Sequence, residues 1–175
     1  ILLQQMSSVD QIKALQEKRI QIGILCPPFE SDDINLRVIH TVPFYAALPS
    51  EHPFANGASP LNPIKLKGES FIFSPRKVGP GYYDTIISLC NRAGFTPKIS
   101  LEVEGIFNII THVAMGMGVA FVSKLALEHP REGVVFREIT DKEVTMSLSL
   151  ATRKNEDSTM VNNFLMLFDN LYQLS

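Results

Sequence analysis

The sequence predicts an α/β fold, because segments in which apolar residues alternate with polar ones are interleaved with segments of helical spacing. Ile99, Leu101 and Val103 alternate with polar residues, which predicts a strand. The segment that follows, residues 106–117, carries its apolar residues at helical spacing. A chain of 175 residues, 45% of them hydrophobic and 19% charged, is able to bury a core in one domain or two small lobes.

The first 25 residues predict a strand, a helix and a second strand. Residues 1–3 have the character of a strand end, and Ser8 followed by Gln11 forms a capping-box pattern that predicts the start of a helix. Residues 20–25 return to alternation. Such short connections favour a parallel pair of strands with a right-handed crossover.

The middle of the chain predicts a long extended segment and a second strand-loop-helix unit. Residues 34–48 are extended and bent at Pro43, where we expect a change of sheet because proline cannot donate to a central ladder. Residues 71–73 form a short buried strand, which a polar loop joins to a helix that ends at Gly94. Further strands are expected at 119–122, 134–136 and 144–151, before a final helix that begins near Ser158.

Composition argues against several classes of partner. A formal charge of -2 and a pI of about 6.1 are unsuited to a surface that binds a phosphate backbone, so we expect no direct contact with nucleic acid. No run approaches the roughly 20 apolar residues that cross a bilayer, and the first residues do not resemble a signal peptide. Cys26 and Cys90 have neither metal-site spacing nor the pattern of a disulfide framework. These features predict a soluble cytoplasmic protein without membrane contact.

Catalytic motifs are not recognisable in the sequence. None of the four histidines has paired ligand spacing, and there is neither a zinc motif nor a nucleophile elbow. We therefore expect no metal, no cofactor and no catalytic residue. The remaining enzymatic alternative is a thiol enzyme that uses Cys26 or Cys90 with His40 or His112.

The order of elements predicts where a ligand binds. Open parallel α/β sheets bind ligands beyond the carboxyl ends of their strands, where helix N-termini present free amides. Strand-to-helix junctions are expected at residues 6–9, 74–82 and 104–107. A small anion would suit them, with donors and apolar contacts supplied by Ser7, Ser8, Ser74, Arg76, Tyr82, Tyr83 and Phe107.

Several residues at these junctions also have a purely structural interpretation. Ser8 in that position is explained by helix capping alone. Arg76 and Lys77 fit a solvated loop, and Tyr82 and Phe107 fit packing in the core or at the rim of a cleft.

Three motifs along the chain resemble those of a known family. Residues 113–123 read V-A-M-G-M-G-V-A-F-V-S and resemble a hallmark of LysR-type transcription regulators, in which a helix ends V-A-x-G-x-G before a buried strand. Residues 12–15 and 19–24, I-K-A-L and R-I-Q-I-G-I, are similar to the family passage that joins a helix to a strand, although Gln21 stands where the family usually has aspartate. Residues 48–55, L-P-S-E-H-P-F-A, resemble its L-P-x-x-H-P-L-A loop. The likeness extends over nearly the whole chain.

The resemblance implies a two-lobed fold of the type 2 periplasmic-binding-protein class, with mixed sheets and a cleft between the lobes. Residues 1–42 and 146–175 would form lobe I, and residues 43–145 would form lobe II. The winged helix-turn-helix domain, the linker helix and the first strand and helix of lobe I are expected outside this chain. DNA would be contacted only through that N-terminal domain, in a homodimer or higher homo-oligomer.

The resemblance also implies an effector site between the lobes. It would include Ser7 and Ser8, the loop of Ser74, Pro75 and Arg76, and the helix start at Gly105 and Ile106, with Tyr82 and Phe107 beside them. The expected effector is a carboxylate or another small anion, although the same groups also suit sulfate, amino acids and sugars. Two alternatives share the fold: a solute-binding protein for transport, whose gene would begin with a signal peptide, and an enzyme.

Overall fold

A computed structural model of the protein describes residues 2–28 and 31–172. Its helices are α1 (Ser8–Gln16), α2 (Pro80–Arg92), α3 (Ile106–Ala114) and α4 (Thr159–Tyr172). Its strands are β1 (Gly23–Leu25), β2 (Ile34–Pro49), β3 (Ser70–Phe73), β4 (Lys98–Glu102), β5 (Ala120–Ser123), β6 (Val134–Glu138) and β7 (Thr145–Arg153). Short 3-10 helices span Pro63–Leu66 and Lys124–Glu128. Within the described residues, no helix has the length and apolarity that a membrane crossing requires.

Strand β2 is the centre of the largest sheet. From Ile34 to Pro43 it pairs antiparallel with β7, which in turn pairs antiparallel with β1. From Phe44 onward it pairs instead with β5 and β6, both antiparallel. Pro43, which has no amide to donate, is the last residue paired with β7, so the predicted change of sheet at this proline is confirmed.

A smaller sheet completes the α/β arrangement. β3 and β4 are parallel and are connected through α2, as the strand-loop-helix prediction required. An isolated bridge between Phe71 and Val119 places β3 beside the start of β5. The carboxyl ends of these strands therefore approach the start of α3, which follows β4 directly.

Apolar residues on β2 alternate between two cores. Phe44, Ala46 and Leu48 pack in a cluster with apolar residues of α2, whereas Ala47 packs with those of α3. β5 contributes Phe121 to the first cluster and, through its other face, Ala120 and Val122 to the second. Burial on both faces explains why the sequence of β5 is continuously apolar. A third, smaller cluster packs α1 against β1, β2 and β7.

Helix α2 begins in close contact with the segment after β1. A Cβ atom placed on Gly81 would lie 2.5 Å from the backbone oxygen of Pro27 and 2.6 Å from that of Cys26. No ordinary Cβ contact is that short, so glycine is the residue that lets the helix start approach this segment. By contrast, Gly79 has extended φ, and an added Cβ would meet nothing closer than the Cβ of Tyr82 at 4.0 Å.

The first predicted strand and its parallel pairing are wrong for the described residues. Leu2 and Leu3 are exposed coil, and β1 pairs with β7 in antiparallel orientation. The strand that follows α1 is also shorter than expected, because only Gly23–Leu25 takes ladder hydrogen bonds. Ile20, the first apolar residue of the predicted alternation, packs against the small cluster that contains Leu15 of α1 and is not part of a strand.

The predicted cap of α1 is displaced by one residue. Ser7, which has extended backbone angles, is the N-cap, and its hydroxyl accepts from the amide of Asp10 at 3.1 Å and donates to the carboxylate of Asp10 at 2.7 Å. Ser8 is already helical. Gln11 instead accepts from the amide of Ile24 at 2.8 Å and so joins the helix to β1. The carboxylate of Asp10 favours Ser7 as the cap, because it accepts a hydrogen bond from the same hydroxyl that caps the Asp10 amide.

We expect Gly81→Ala to destabilise the protein by about 1–3 kcal/mol, because the new methyl group must push apart two backbone segments. Thermal or urea unfolding measures the change. The matched control is Gly79→Ala, which should alter stability by no more than about 0.5 kcal/mol. Equal stability of the two variants would contradict the close approach of α2 to Pro27.

Candidate ligand-binding site

A cavity of about 440 Å³ lies where the ends of β3 and β5 meet the start of α3. Its volume is within the range of small-molecule sites. Two short segments and three separate residues line it: Gly105, Ile106, Phe107 and Ile109; Ser123, Leu125, Ala126, Glu128 and His129; and Ser74, Tyr82 and Met146. Most of these side chains are apolar, which favours a ligand with an apolar body.

The start of α3 supplies backbone polarity to one wall. Gly105 is the N-cap with φ of +84°, a left-handed conformation that favours glycine, and it has no side chain to cap the helix. Ile106 and Phe107 form the first turn and also line the cavity. The first amides of a helix lack intrahelical acceptors and carry a partial positive charge, so this wall is able to accept a hydrogen-bonding group of a ligand.

Tyr82 also lines the cavity and is held in place by two contacts. Its hydroxyl donates to the carbonyl oxygen of Phe121 at 3.2 Å, and its ring centroid lies 5.7 Å from that of Phe44. Burial raises the pKa of this hydroxyl far above its ordinary value. Tyr82 is therefore a neutral, rigid side chain at any physiological pH.

The 3-10 helix after β5 forms the outer wall. His129 packs edge-on against Phe107, with ring centroids 5.1 Å apart. Phe107 is 57% exposed, so this pair lies at the mouth of the cavity and not in the core. Ser123, only 5% exposed, lies at the inner end of the same wall.

A second cavity, of about 270 Å³, adjoins the first and shares Tyr82 and Met146 with it. Its other lining residues come from three elements: Cys26, Pro27 and Pro28; Gly81 and Thr85; and Thr145 and Ser147. Burial raises the pKa of the Cys26 thiol to about 11. The thiol is therefore protonated at neutral pH and is a poor nucleophile or metal ligand.

Five of the nine predicted site residues line the larger cavity: Ser74, Tyr82, Gly105, Ile106 and Phe107. The other four, Ser7, Ser8, Pro75 and Arg76, line neither cavity. Ser7 serves as the cap of α1, and this is the structural role that the sequence had left open for Ser8.

Arg76 is occupied by an intramolecular ion pair. Its Nε and Nη2 atoms each donate to a carboxylate oxygen of Asp84 at 2.8 Å, on the first turns of α2. The side chain of Arg76 is 63% exposed. The hydrogen bond from Arg76 lowers the pKa of Asp84, which keeps the pair charged and the guanidinium neutralised.

The sequence analysis missed most of the outer wall. Leu125, Ala126 and Glu128 lie on a 3-10 helix that no periodicity in the sequence predicted, and His129 is its C-cap. Met146 belongs to β7, far along the chain. The one available signal was Ser123, a polar residue that ends a continuous apolar strand. In residues 2–28 and 31–172, histidine, cysteine and carboxylate side chains do not gather in groups of three that could hold a metal ion.

Residues 1–171 match the sequence profile of the LysR substrate binding domain. This chain belongs to that family. The prediction from the three motifs is therefore confirmed, and so is the fold class that the resemblance implied.

Relatives in the LysR family are transcriptional regulators. The HTH-type transcriptional regulator CatR of Pseudomonas putida is 29% identical over 165 residues, which are 94% of this chain and 56% of CatR. AlsR of Bacillus subtilis, also an HTH-type transcriptional regulator, is 28% identical over 163 residues, or 93% of this chain and 54% of AlsR. The chain thus spans about half the length of the curated relatives it matches.

Solved structures of LysR regulators share the fold. The BenM effector-binding domain with its effector benzoate superposes with a TM-score of 0.82 at 19% identity, covering 98% of this chain and 78% of that domain. CbnR, a LysR family transcriptional regulator, gives a TM-score of 0.85 at 20% identity and covers 97% of this chain and 58% of CbnR.

We expect iodoacetamide at pH 8 to label Cys26 roughly a hundredfold more slowly in the folded protein than after unfolding, because only the thiolate reacts and burial disfavours it. Mass spectrometry of the labelled peptides separates Cys26 from Cys90, whose pKa burial raises to about 12. Labelling of folded Cys26 at the unfolded rate would show that the segment around it is open to solvent.

Proposed function

We propose that this chain is the effector-sensing part of a LysR-type transcription regulator. It would bind a small molecule in the cavity between β3, β5 and the start of α3 and transmit the change to a DNA-binding domain elsewhere in the protein. The observation that carries the proposal is the cavity itself, which is of ligand size and lies at strand carboxyl ends in a chain of the LysR family. The names of the relatives favour regulation over transport and enzymatic turnover.

The proposed binding residues are the five predicted residues that line the larger cavity: Ser74, Tyr82, Gly105, Ile106 and Phe107. Tyr82 and Phe107 would contact an apolar ligand body. The amides at the start of α3 and the hydroxyl of Ser74 would bind its polar group. Arg76 is left out of this set because it lines neither cavity and its Nε and Nη2 atoms already donate to Asp84.

Transmission of ligand binding to the DNA-binding domain would depend on two lobes. Lobe I would comprise residues 1–42 and 146–175, and lobe II residues 43–145. The change of partner of β2 at Pro43 and Phe44, close to the start of β7 at Thr145, supports this division. The smaller cavity contains residues that follow β1 as well as residues of α2, so a ligand reaching it would contact both lobes. Such a ligand shifts the equilibrium between open and closed arrangements by its differential affinity for them.

Dimer formation belongs to the same proposal, because a regulator of this family is expected to act as a homodimer or higher homo-oligomer. Sedimentation equilibrium or light scattering over a range of concentrations should give a mass of at least twice 19.5 kDa at high concentration. A mass that stays at one chain up to millimolar concentration would contradict the oligomeric part of the proposal and leave ligand sensing intact.

We expect small aromatic compounds, with benzoate as the first probe because BenM is reported with it, to raise the melting temperature of the protein. Phe107→Ala should weaken the saturable shift by roughly tenfold in apparent Kd, because it removes an aromatic wall of the cavity. The stability of the unliganded Phe107→Ala variant should differ little from that of the unsubstituted protein, since the side chain of Phe107 is 57% exposed.

The matched control is Met115→Ala, an exposed apolar residue at the other end of α3 that lines neither cavity. It should leave both the shift and its midpoint unchanged. Equal loss of binding in the two variants would indicate a nonspecific effect on α3, and an unchanged midpoint in Phe107→Ala would place the ligand elsewhere.

A further inference from the structure

We infer that the effector of this site carries no net negative charge and combines an apolar, ring-sized body with a hydroxyl or amide group. This inference rests on the proposed function and concerns the same cavities. It differs from the anionic effector that the sequence predicted.

The first reason is the charge of the cavity walls. Among the described residues, neither cavity is lined by a lysine or an arginine. The charged side chain that does line the larger cavity is Glu128, a carboxylate. A ligand carboxylate would therefore meet a like charge at the mouth and no full positive charge inside.

The second reason is that the nearest predicted cation, Arg76, is already paired with Asp84. Arg76 follows β3 within two residues of Ser74, yet its Nε and Nη2 atoms donate to Asp84 and its side chain is 63% exposed. A ligand that took over these two donors would break a bidentate pair and leave Asp84 unpaired. The ligand would have to replace both bonds to gain anything.

The third reason is the low polarity of the walls. Met146 and Tyr82 are common to both cavities, and Ile106, Ile109 and Leu125 extend the apolar lining of the larger one. Burial keeps the Cys26 thiol and the Tyr82 hydroxyl neutral, which is the behaviour of groups in surroundings that penalise charge. A carboxylate entering here would lose its hydration under the same penalty.

The start of α3 does not offset that penalty. A helix N-terminus offers a fraction of a charge, and its effect declines within the first turn. It is well suited to a carbonyl or hydroxyl oxygen, which needs a donor but no counter-charge. Hydroxyls of Ser74, Ser123, Thr145 and Ser147 add neutral donors and acceptors around the two cavities.

Matched pairs of ligands test the inference directly. Benzamide and benzoate, and phenylacetamide and phenylacetate, have nearly the same shape and differ in charge. Isothermal titration of the protein at pH 7.5 should give at least about tenfold tighter binding for the amide in each pair that binds. A carboxylate that binds as tightly as its amide overturns the inference and leaves the proposed function standing. If neither member of either pair binds, the proposed aromatic-ligand site is wrong, and the inference is overturned with it.

Two variants test whether wall charge causes the preference. Ser74→Arg should move affinity toward the carboxylate member by about tenfold, whereas Ser74→Met, similar in length but uncharged, should keep the preference for the amide. Glu128→Gln, at an exposed position where folding is not at risk, should tighten carboxylate binding by roughly two- to fivefold. An unchanged preference in both Ser74→Arg and Glu128→Gln would overturn the electrostatic basis of the inference.

Discussion

The pairing of strand β2 with three other strands is the constraint on which the rest of the structure depends. Its 16 residues satisfy their backbone groups with β7 in the first half and with β5 and β6 in the second. Buried amides and carbonyls must be paired, so the positions of these partners are fixed by β2. The change of partner occurs at Pro43, which lies inside the strand and has no amide hydrogen to donate.

This arrangement also determines where the cavities lie. β5 is held along β2 and ends at Ser123, so the 3-10 helix that follows must cross the start of α3. β7 is held along the other half of β2 and carries Met146 to the boundary between the two cavities. The walls are therefore apolar because they continue the two cores that β2 separates. A mostly apolar site of this kind accepts neutral hydrogen-bonding groups more readily than charges.

Much of the fold could be predicted because the relevant signals are local. Alternation in β4, the continuous apolar run of β5 and the helix end before Gly94, with φ of +85°, all reflect contacts or angles within a few residues. The failures involve competition between neighbours of similar chemistry. Ser7 and Ser8 both suit a cap, and the hydrogen bond from Ser7 to Asp10 favours Ser7. Gln11 does not take part in the cap and instead accepts from the amide of Ile24, 13 residues away.

By itself, the sequence determined the family, the order of most elements and the strand-to-helix junctions that supply five of the twelve residues lining the larger cavity, because periodicity, glycines and short motifs are readable along the chain. Only the tertiary structure decided which side chains line the cavity and what charge they present. In the sequence, Arg76 suits a ligand and Asp84 equally well. In the folded protein, the first turns of α2 place that carboxylate 2.8 Å from the Nε atom of Arg76. Met146 and the 3-10 helix join the walls through pairing with β2, and such long-range contacts leave no periodic trace in the residues that make them.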